Sequence, residues 1–242
     1  MTQTLKKSTL ENKTIYINEI FSKIALYYDL LNNLMTFGLH KKWKDKAIKL
    51  ALEENPSPQS ALDICCGTAD LAILISNKSS TTKILAVDNC KPMLDIAKSK
   101  LSERKNNNIK LLEYDCENLD FTDLSFDLIS IGFGLRNLTN KEKCIKDVHK
   151  LLNKNGVFVC IDLGYPSNPL WQKIYFYYFY KIVPRLGQLF AKNKEAYTYL
   201  PESLKTWYKQ DELKDLILKT GFSRCYYKIF FGGVVASHIA VK

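Results

Sequence analysis

The chain has 242 residues, of which 46% are hydrophobic and 25% are charged. This composition is typical of one folded domain with a full hydrophobic core, and it excludes a disordered chain. The formal net charge of +10 favours an anionic partner, which would be nucleic acid or an anionic lipid surface. Because the basic residues are scattered, an ordinary solvated surface is the alternative interpretation.

The cysteine pattern and the N-terminal sequence bear on metal sites and on location. The seven cysteines include no Cys-x-x-Cys pair, so we expect no metal site. The polar, lysine-bearing N-terminus predicts no signal peptide, and no apolar run approaches the ~18 residues of a membrane span. We therefore expect a cytoplasmic protein, or a stromal one if it is encoded in a plastid, with reduced thiols.

The order of the predicted elements indicates an α/β fold. Residues 1–14 predict a mobile tail, and residues 15–52 predict helices with a break at residues 36–38. Further helical patterns lie at residues 71–76, 92–101, 141–152 and 211–220. Apolar runs predict strands at residues 61–65, 84–88, 109–114, 126–131 and 157–163. This alternation favours a parallel sheet, and residues 222–231 and 234–241 predict a closing antiparallel pair.

The end of the helix at 141–152 carries its own turn signal. Asn155 and Gly156 follow its last apolar residues. Both residue types tolerate the left-handed conformation, so this pair predicts the turn that ends the helix.

The segment LDICCGTAD at residues 62–70 predicts a ligand-binding turn between the first strand and a helix. Gly67 would let a ligand approach the backbone, and Asp63 could pair with a ligand ammonium group, directly or through water. Asp88 ends the second strand 21 residues after Gly67, a spacing that suits ribose hydroxyls. Asp115 ends the third strand and could lie beside an adenine. The alternative is that these acids are polar strand ends and helix caps.

The composition of this turn favours one cofactor over others. It has a single glycine where a dinucleotide fingerprint has three, and no phosphate-loop lysine follows it. A cofactor without a pyrophosphate fits better, which favours S-adenosylmethionine over NAD or ATP.

Five segments of the chain together resemble one known family. They are FSKIALYYDLLNN at 21–33, TFGLH at 36–40 with Trp43, LDICCGTAD at 62–70, GFGLRNLTN at 132–140, and YLPES at 199–203 with GGVVASH at 232–238. On these motifs the chain from residue 21 to residue 242 resembles the ubiquinone/menaquinone biosynthesis C-methyltransferases. The Phe-Gly-Leu-Arg-Asn sequence is the most diagnostic part, because it is not a general methyltransferase feature.

Some positions depart from the family pattern. Cys65 and Ala69 replace two of the three glycines of the usual turn, and this version resembles the menaquinone-type members. It favours a naphthoquinol acceptor over a benzoquinol. Cys116 stands where many relatives have alanine, and Gly132 stands where some have serine.

The resemblance implies a Rossmann-like class I fold of the S-adenosylmethionine-dependent methyltransferases, with a seven-stranded, mostly parallel sheet and a C-terminal antiparallel strand pair. It implies a single methyltransferase domain at 15–242. That domain would comprise an N-terminal helical lid at 15–55, a cofactor-binding half at 60–165, and a substrate or cover half at 166–242.

The activity implied by the resemblance is transfer of the S-adenosylmethionine methyl group to a ring carbon of a prenylated quinol. The favoured acceptor is the naphthoquinol of the last step of menaquinone biosynthesis. A phytyl-naphthoquinone or a polyprenyl-benzoquinol is the alternative acceptor. Carried over by position, the cofactor contacts would be Thr68, Asp88, Asp115 and Cys116.

Catalytic residues would have to favour the phenolate form of the quinol, because its oxyanion feeds charge to the reacting carbon. Arg136 could stabilise that oxyanion, or it could be a structural arginine paired with Asp162. Tyr28 could donate a hydrogen bond to the quinol or act as a packing aromatic. His40 could be a general base or a histidine at a helix end.

Two further residues lie inside the same motifs. Asp29 follows Tyr28 in the N-terminal motif, and Asn137 follows Arg136. We expect both to contact the acceptor.

Residues 171–183, WQKIYFYYFYKIV, are dense in aromatics and carry Lys173 and Lys181. This pattern suits peripheral contact with an anionic membrane, but it also suits a core-facing cover helix or a homodimer contact.

Two other functions are alternatives to quinol methylation. The first is methylation of RNA or protein. The Asn-Pro-Pro-Tyr signature of many base methylators is absent from the sequence, so we expect no nucleic-acid partner. The second is a non-catalytic scaffold that binds S-adenosylmethionine, which the intact Arg136 and lid motifs argue against.

Overall fold

The computed structural model describes residues 2–104, 106–121, 123–191 and 194–242, and their side chains from residue 13 onward except those of 189–198. The strands are β1 (Ser60–Ile64), β2 (Lys83–Asp88), β3 (Ile109–Glu113), β4 (Phe126–Gly132), β5 (Leu152–Leu163), β6 (Arg224–Phe230) and β7 (Val235–Val241). The helices are α1 (Thr2–Thr36), α2 (Leu39–Glu54), α3 (Asp70–Lys78), α4 (Lys91–Arg104), α5 (Lys141–Leu151), α6 (Pro169–Tyr177), α7 (Val183–Ala191), α8 (Lys194–Leu204) and α9 (Gln210–Lys219).

The described strands form one seven-stranded sheet in the order β3-β2-β1-β4-β5-β7-β6. The pairs among β1 to β5 are parallel, whereas β7 runs antiparallel to both β5 and β6. The central strands are buried along almost their whole length, as expected for parallel strands covered by helices on both faces. The predicted mostly parallel sheet with a C-terminal antiparallel pair is confirmed.

The fifth strand differs from its prediction at its beginning. It starts at Leu152 rather than at residue 157, because Leu152 already pairs with Phe126 before the register shifts. Asn155 does adopt the left-handed conformation, with φ of 62°. The Asn155–Gly156 turn therefore lies inside β5, and it does not end the preceding helix as predicted.

The predicted break between the first two helices is confirmed. Phe37 and Gly38 both have positive φ, and the Gly38 N–H donates to the carbonyl of Asn33 at 2.9 Å. This is the hydrogen bond that closes a helix end through a left-handed residue. The helix begins at Thr2, so residues 2–14, predicted as a separate tail, are continuous with α1.

The aromatic stretch at 171–183 divides between two environments. It runs through α6 and a π-helical turn at Tyr178–Ile182. Tyr175 and Phe179 are buried and stacked on each other, with ring centroids 5.2 Å apart. Ile174 and Tyr177 face outward and are 50% and 64% exposed. The core-facing interpretation holds for the first pair, and the second pair is available to a partner.

Helix α1 covers the carboxyl edge of the sheet, where it packs against α2, α4, α7 and α8. None of the described helices is long and apolar enough to traverse a lipid bilayer.

Candidate active site

The turn that follows β1 is held in an unusual backbone conformation. Cys65, Gly67 and Ala69 all have positive φ, at 52°, 54° and 63°. Non-glycine residues rarely adopt this region, so two of the three positions carry strain that the surrounding contacts must hold. The substitutions of glycine noted in the sequence therefore leave the shape of the turn intact. A Cβ added at Gly67 would meet open space, which leaves room for a ligand at the backbone.

Two cavities open beside this turn. The small cavity, of about 90 Å³, lies at the carboxyl ends of β1, β2 and β3 and is lined by Gly67, Asp88, Asp115 and Cys116. The large cavity, of about 310 Å³, lies between α1, α2 and α6 and is mostly apolar. Three side chains line both cavities: Phe21, Tyr28 and Phe133. The two cavities are therefore neighbours separated by aromatic rings.

Asp88 lines the small cavity and holds the backbone around it. Its carboxylate accepts hydrogen bonds from the backbone N–H groups of Gly67 and Cys90, both at 2.8 Å. Burial raises the pKa of Asp88 above its ordinary value, although these hydrogen bonds oppose the shift. Asp115 is exposed and caps the loop after β3 through the N–H of Glu117 at 3.0 Å. Both acids thus lie where the strand-end pattern predicted.

Asp63 lies beneath the turn and faces away from both cavities. Its carboxylate accepts hydrogen bonds from the hydroxyl of Ser130 at 2.6 Å and from the N–H of Ala72 at 3.1 Å. Only 1% of the residue is exposed. The direct pairing of Asp63 with a ligand ammonium is therefore not supported, since the carboxylate already joins β1, β4 and the first turn of α3.

Thr68 and Asp29 belong to a partly buried ionic network. The Thr68 hydroxyl donates to Asp29 at 2.9 Å and accepts from Lys100 at 2.9 Å. Lys100 also pairs with Asp29 at 2.6 Å and with Asp70 at 2.9 Å, and Lys44 pairs with Asp70 at 2.8 Å. In this structure Thr68 and Asp29 make contacts that hold α1 on the turn, and their contacts with cofactor and acceptor stay predictions.

Arg136 forms an ion pair with Asp162, which is the structural role that the sequence left open as the alternative. Its Nη1 donates to Asp162 at 2.7 Å and to the carbonyl of Phe133 at 2.6 Å, and its Nε donates to Ser203 at 3.2 Å. Burial opposes the charge, but Asp162 outweighs it and raises the pKa of Arg136. Within the described part of the chain, Nη2 donates to no other group, and Arg136 lines the large cavity.

His40 also lines the large cavity. Its Nε2 lies 3.1 Å from the Asn33 amide oxygen, which can only accept, so Nε2 carries the proton. Burial, followed by the charge of Lys44, lowers the pKa of His40 to about 4. The imidazole is therefore neutral at pH 7 and a weak base. Nδ1 is buried and has no partner among the described residues.

Tyr28 and Asn137 lie at the boundary between the two cavities. Tyr28 packs edge-on against Phe21, with centroids 6.1 Å apart, so the packing interpretation describes its observed contact. Asn137 lines the small cavity rather than the large one. Its amide oxygen accepts a hydrogen bond from Tyr199 at 3.2 Å, and Tyr199 lines the large cavity. Asn137 thus reaches the large cavity through Tyr199, and its contact with the acceptor stays a prediction.

Some residues of the site were not singled out in the sequence. Ser203 holds the Arg136 side chain, and the buried hydroxyl of Tyr175 has no partner among the described residues. Tyr199 and Ser203 lie within the YLPES motif, which could have directed attention to them. Tyr175 gives no signal apart from the aromatic density of its segment.

The described residues contain no cluster of three or more histidine, cysteine or acidic side chains able to hold a metal ion.

Comparison with known proteins places these features in a family. The model of the ubiE/COQ5 methyltransferase family matches residues 7–242. A demethylmenaquinone methyltransferase of Staphylococcus epidermidis is 36% identical over 227 residues, which are 93% of this chain and 92% of the relative. The Rickettsia prowazekii ubiquinone/menaquinone biosynthesis C-methyltransferase UbiE is 36% identical over 242 residues, 98% of this chain and 96% of the relative.

Solved structures of lower identity share the fold. A Thermotoga maritima S-adenosylmethionine-dependent methyltransferase, described as a possible histamine N-methyltransferase, has a TM-score of 0.62 at 18% identity and covers 93% of this chain and 99% of its own. A Clostridium acetobutylicum S-adenosylmethionine-dependent methyltransferase also has a TM-score of 0.62, at 14% identity, covering 89% and 97%. The predicted methyltransferase-type fold is confirmed.

The buried carboxyl of Asp63 predicts a pH-dependent stability. Burial raises its pKa from 3.8 to about 7, despite the hydrogen bonds from Ser130 and Ala72. The folded protein keeps a proton that the unfolded chain releases, so this contribution is complete below pH ~4 and is lost as the pH rises to ~7. We expect wild type to lose stability relative to Asp63→Asn between about pH 5 and 8, measured by urea unfolding.

Asp127→Asn is the matched control, because hydrogen bonds hold the pKa of Asp127 below its ordinary value. It is ionised throughout this pH range in both states, so its stability difference from wild type should stay constant. Parallel stability curves for wild type and Asp63→Asn would contradict the assignment of a protonated, buried Asp63.

Proposed function

The chain belongs to the ubiE/COQ5 methyltransferase family, and we propose that it transfers the methyl group of S-adenosylmethionine to a ring carbon of a prenylated quinol. Reduced demethylmenaquinone is the acceptor, and menaquinol is the product, in the last step of menaquinone biosynthesis. The observation that carries this proposal is the contact between the two cavities at Phe21, Tyr28 and Phe133. Donor and acceptor bound on the two sides would meet there.

The residues of the small cavity fit S-adenosylmethionine. Gly67 leaves its backbone open, Asp88 offers a carboxylate for ribose hydroxyls, and Asp115 and Cys116 lie beside the third strand. Ligand sites usually enclose roughly 300–1,000 Å³, so a cavity of about 90 Å³ must widen to admit the whole cofactor. Its cover is α1, through Ile17 and Asn18, so we infer that α1 moves when the cofactor binds.

The large cavity fits a quinol ring and the beginning of an isoprenoid chain. Aromatic and aliphatic side chains from α1, α2 and α6 form most of its wall, and they would favour an apolar molecule. Among its few polar groups, His40 Nδ1 and the Tyr175 hydroxyl lack a partner among the described residues, and the described hydrogen bonds of the Arg136 side chain use only Nε and Nη1. A quinol has two oxygens that could satisfy such groups.

S-adenosylmethionine, when bound, supplies an electrophilic methyl group on a sulfonium. The chain's own residues would hold the acceptor carbon in line with it, and the rings of Phe21, Tyr28 and Phe133 would exclude water from the junction. The acceptor must be reduced, because a quinone ring carbon is a poor nucleophile. Nη2 of Arg136 would donate to a ring oxygen and favour its ionised form.

The head group is proposed from two observations. The Cys-Cys-Gly-Thr-Ala-Asp turn resembles menaquinone-type members, and the Staphylococcus epidermidis relative is named a demethylmenaquinone methyltransferase. A phytyl-naphthoquinol and a polyprenyl-benzoquinol are the alternatives, and the Rickettsia prowazekii relative carries a name that covers both quinone classes.

The function is tested by supplying purified protein with tritiated-methyl S-adenosylmethionine and different acceptors. We expect label in demethylmenaquinone kept reduced by dithionite, much less in a reduced polyprenyl-benzoquinol, and none in the oxidised quinone or in RNA. Preferential labelling of the benzoquinol would overturn the proposal that the acceptor has a naphthoquinol head group. Binding of S-adenosylmethionine without transfer to any acceptor would instead indicate a non-catalytic scaffold.

Arg136 is tested by Arg136→Lys rather than by alanine. Alanine would leave Asp162 buried and unpaired, at a cost of roughly 3–5 kcal/mol. Lysine can keep that ion pair but loses the second guanidinium nitrogen. We expect turnover to fall by about 10²–10³-fold, with affinity for S-adenosylhomocysteine unchanged by calorimetry. Arg185→Lys, on exposed α7, is the matched control, and equal turnover of both variants would remove Arg136 from the mechanism.

The mouth of the large cavity carries exposed apolar side chains. Phe37, Ile174 and Phe231 come from three separate segments, line the cavity, and are 85%, 50% and 53% exposed. Exposed lysines lie within five residues of them in the sequence: Lys41, Lys42, Lys173 and Lys228. An apolar rim with basic neighbours suits the surface of an anionic bilayer. We infer that the prenyl chain enters from the membrane through this mouth.

The rim predicts membrane binding that depends on its apolar residues. Phe37→Ser combined with Ile174→Ser should weaken partitioning to phosphatidylglycerol vesicles by roughly 30-fold or more, because each side chain loses apolar burial. Vesicle flotation at low and high salt measures this, and binding of wild type should fall with salt. Leu124→Ser, at a side chain 50% exposed before β4, is the control. Equal flotation of all three proteins would exclude this rim as the contact.

A further inference from the structure

Lys44 is a second buried cation at the large cavity. It lies on α2, its side chain is 9% exposed, and it lines the same cavity as Arg136. Its ammonium is 5.8 Å from the centroid of the Phe133 ring, which also lines the small cavity. The charge of Lys44 is therefore held close to the boundary where the two cavities meet.

The ammonium is only partly neutralised by its neighbours. Burial opposes the charge of Lys44, but Asp70 at 2.8 Å outweighs it and raises the pKa of the lysine. Lys44 is therefore protonated at neutral pH. Asp70 also pairs with Lys100 at 2.9 Å, so one carboxylate serves two cations. Lys100 has a second carboxylate in Asp29, whereas Lys44 has none among the described residues.

Two of the three N–H donors of Lys44 remain available. An ammonium has three donors, and of the described residues only Asp70 accepts a hydrogen bond from this one. A buried donor without a partner is unfavourable unless a ligand or water accepts from it. The surrounding wall is mostly apolar, so the attraction of this charge for an anion is stronger than it would be in water.

A purely structural role explains Lys44 less well. The contact between α2 and α3 already has an ion pair at its surface, between Asp45 and Lys78 at 2.6 Å. That pair joins the two helices without a buried charge. A buried lysine at the wall of the large cavity is expensive to maintain, which favours a role in the chemistry of that cavity.

We propose that Lys44 is a catalytic residue that binds an ionised oxygen of the acceptor, an aryl oxyanion, in the large cavity. The inference rests on the proposed function and specifies the form of the acceptor. The hydroxyl proton passes to water, the O–H electron pair stays on oxygen, and the ring carbon gains nucleophilic character. Lys44 and Arg136 then provide two cations for the two oxygens of one quinol ring.

Other titratable groups act electrostatically on Lys44 from the elements packed around it. They are Asp70 on α3, Tyr28 and Asp29 on α1, His40 on α2 and Asp63 on β1. A pH profile of turnover would therefore mix several groups. Direct titration of a bound acceptor analogue avoids this problem.

The test uses 2-prenyl-1-naphthol, a probe with one hydroxyl and no redox chemistry, bound to the full-length protein with S-adenosylhomocysteine. Absorbance of the naphtholate is followed as the pH is raised. We expect wild type to increase the ionisation constant of the bound probe, and Lys44→Met to reduce that increase by roughly 10- to 1,000-fold. Lys100→Met is the matched control, because it removes the other cation on Asp70 but leaves Lys44, and it should retain most of the increase.

The outcomes separate this inference from the proposed function. If the probe binds to wild type but its ionisation constant is unchanged, the proposed role of Lys44 is overturned by the wild-type measurement alone. Methyl transfer to demethylmenaquinol can still stand in that case. Equal ionisation in wild type and in a folded Lys44→Met, with S-adenosylhomocysteine affinity intact, also overturns it. Failure of wild type to bind S-adenosylhomocysteine, or to methylate any quinol, would instead overturn the function itself.

Discussion

Parallel pairing of the first five strands is the constraint on which the site depends. Because parallel strands all point the same way, the segments after β1, β2, β3 and β4 emerge at one edge of the sheet. β1 pairs with β2 on one side and with β4 on the other. The strand order therefore reverses direction at β1, and a crevice opens at the carboxyl end of this strand. The turn at Gly67 and the acid at Asp88 come from one side of this crevice. Phe133 and Arg136 come from the other.

A partly buried ionic network lies at this edge and joins the helices around the site. Asp29, Asp70, Lys44 and Lys100 carry two negative and two positive charges, and they connect α1, α2, α3 and α4. Isolated charges would be expelled from such a place, but a neutral set with good hydrogen-bond geometry is tolerated. Burial favours the neutral form of Asp70, but the charges of Lys44 and Lys100 hold the pKa of this carboxyl well below its usual range. The network therefore stays charged and fastens α1 to the rest of the site.

The sequence predicted the framework better than the side-chain directions. Apolar runs bounded by turn residues located all seven strands, because a buried strand has a strong and local signal. Asp88 could be placed because strand ends converge in any parallel sheet. The hydrogen-bond partners of Asp63 and Thr68 could not be predicted, since residues one or two positions apart at a turn face different ways. Lys44 resembled one of many scattered surface lysines, because its partner Asp70 lies on another helix.

The structural contacts of Arg136 are compatible with the chemical role proposed for it. Its pairing with Asp162, Ser203 and the Phe133 carbonyl uses Nε and Nη1, and these bonds fix the plane of the guanidinium. The remaining nitrogen is then held at the cavity wall without losing side-chain entropy when a ligand arrives. The ion pair is thus the means by which a donor is oriented in advance. A guanidinium free of Asp162 would have to be ordered each time an acceptor entered.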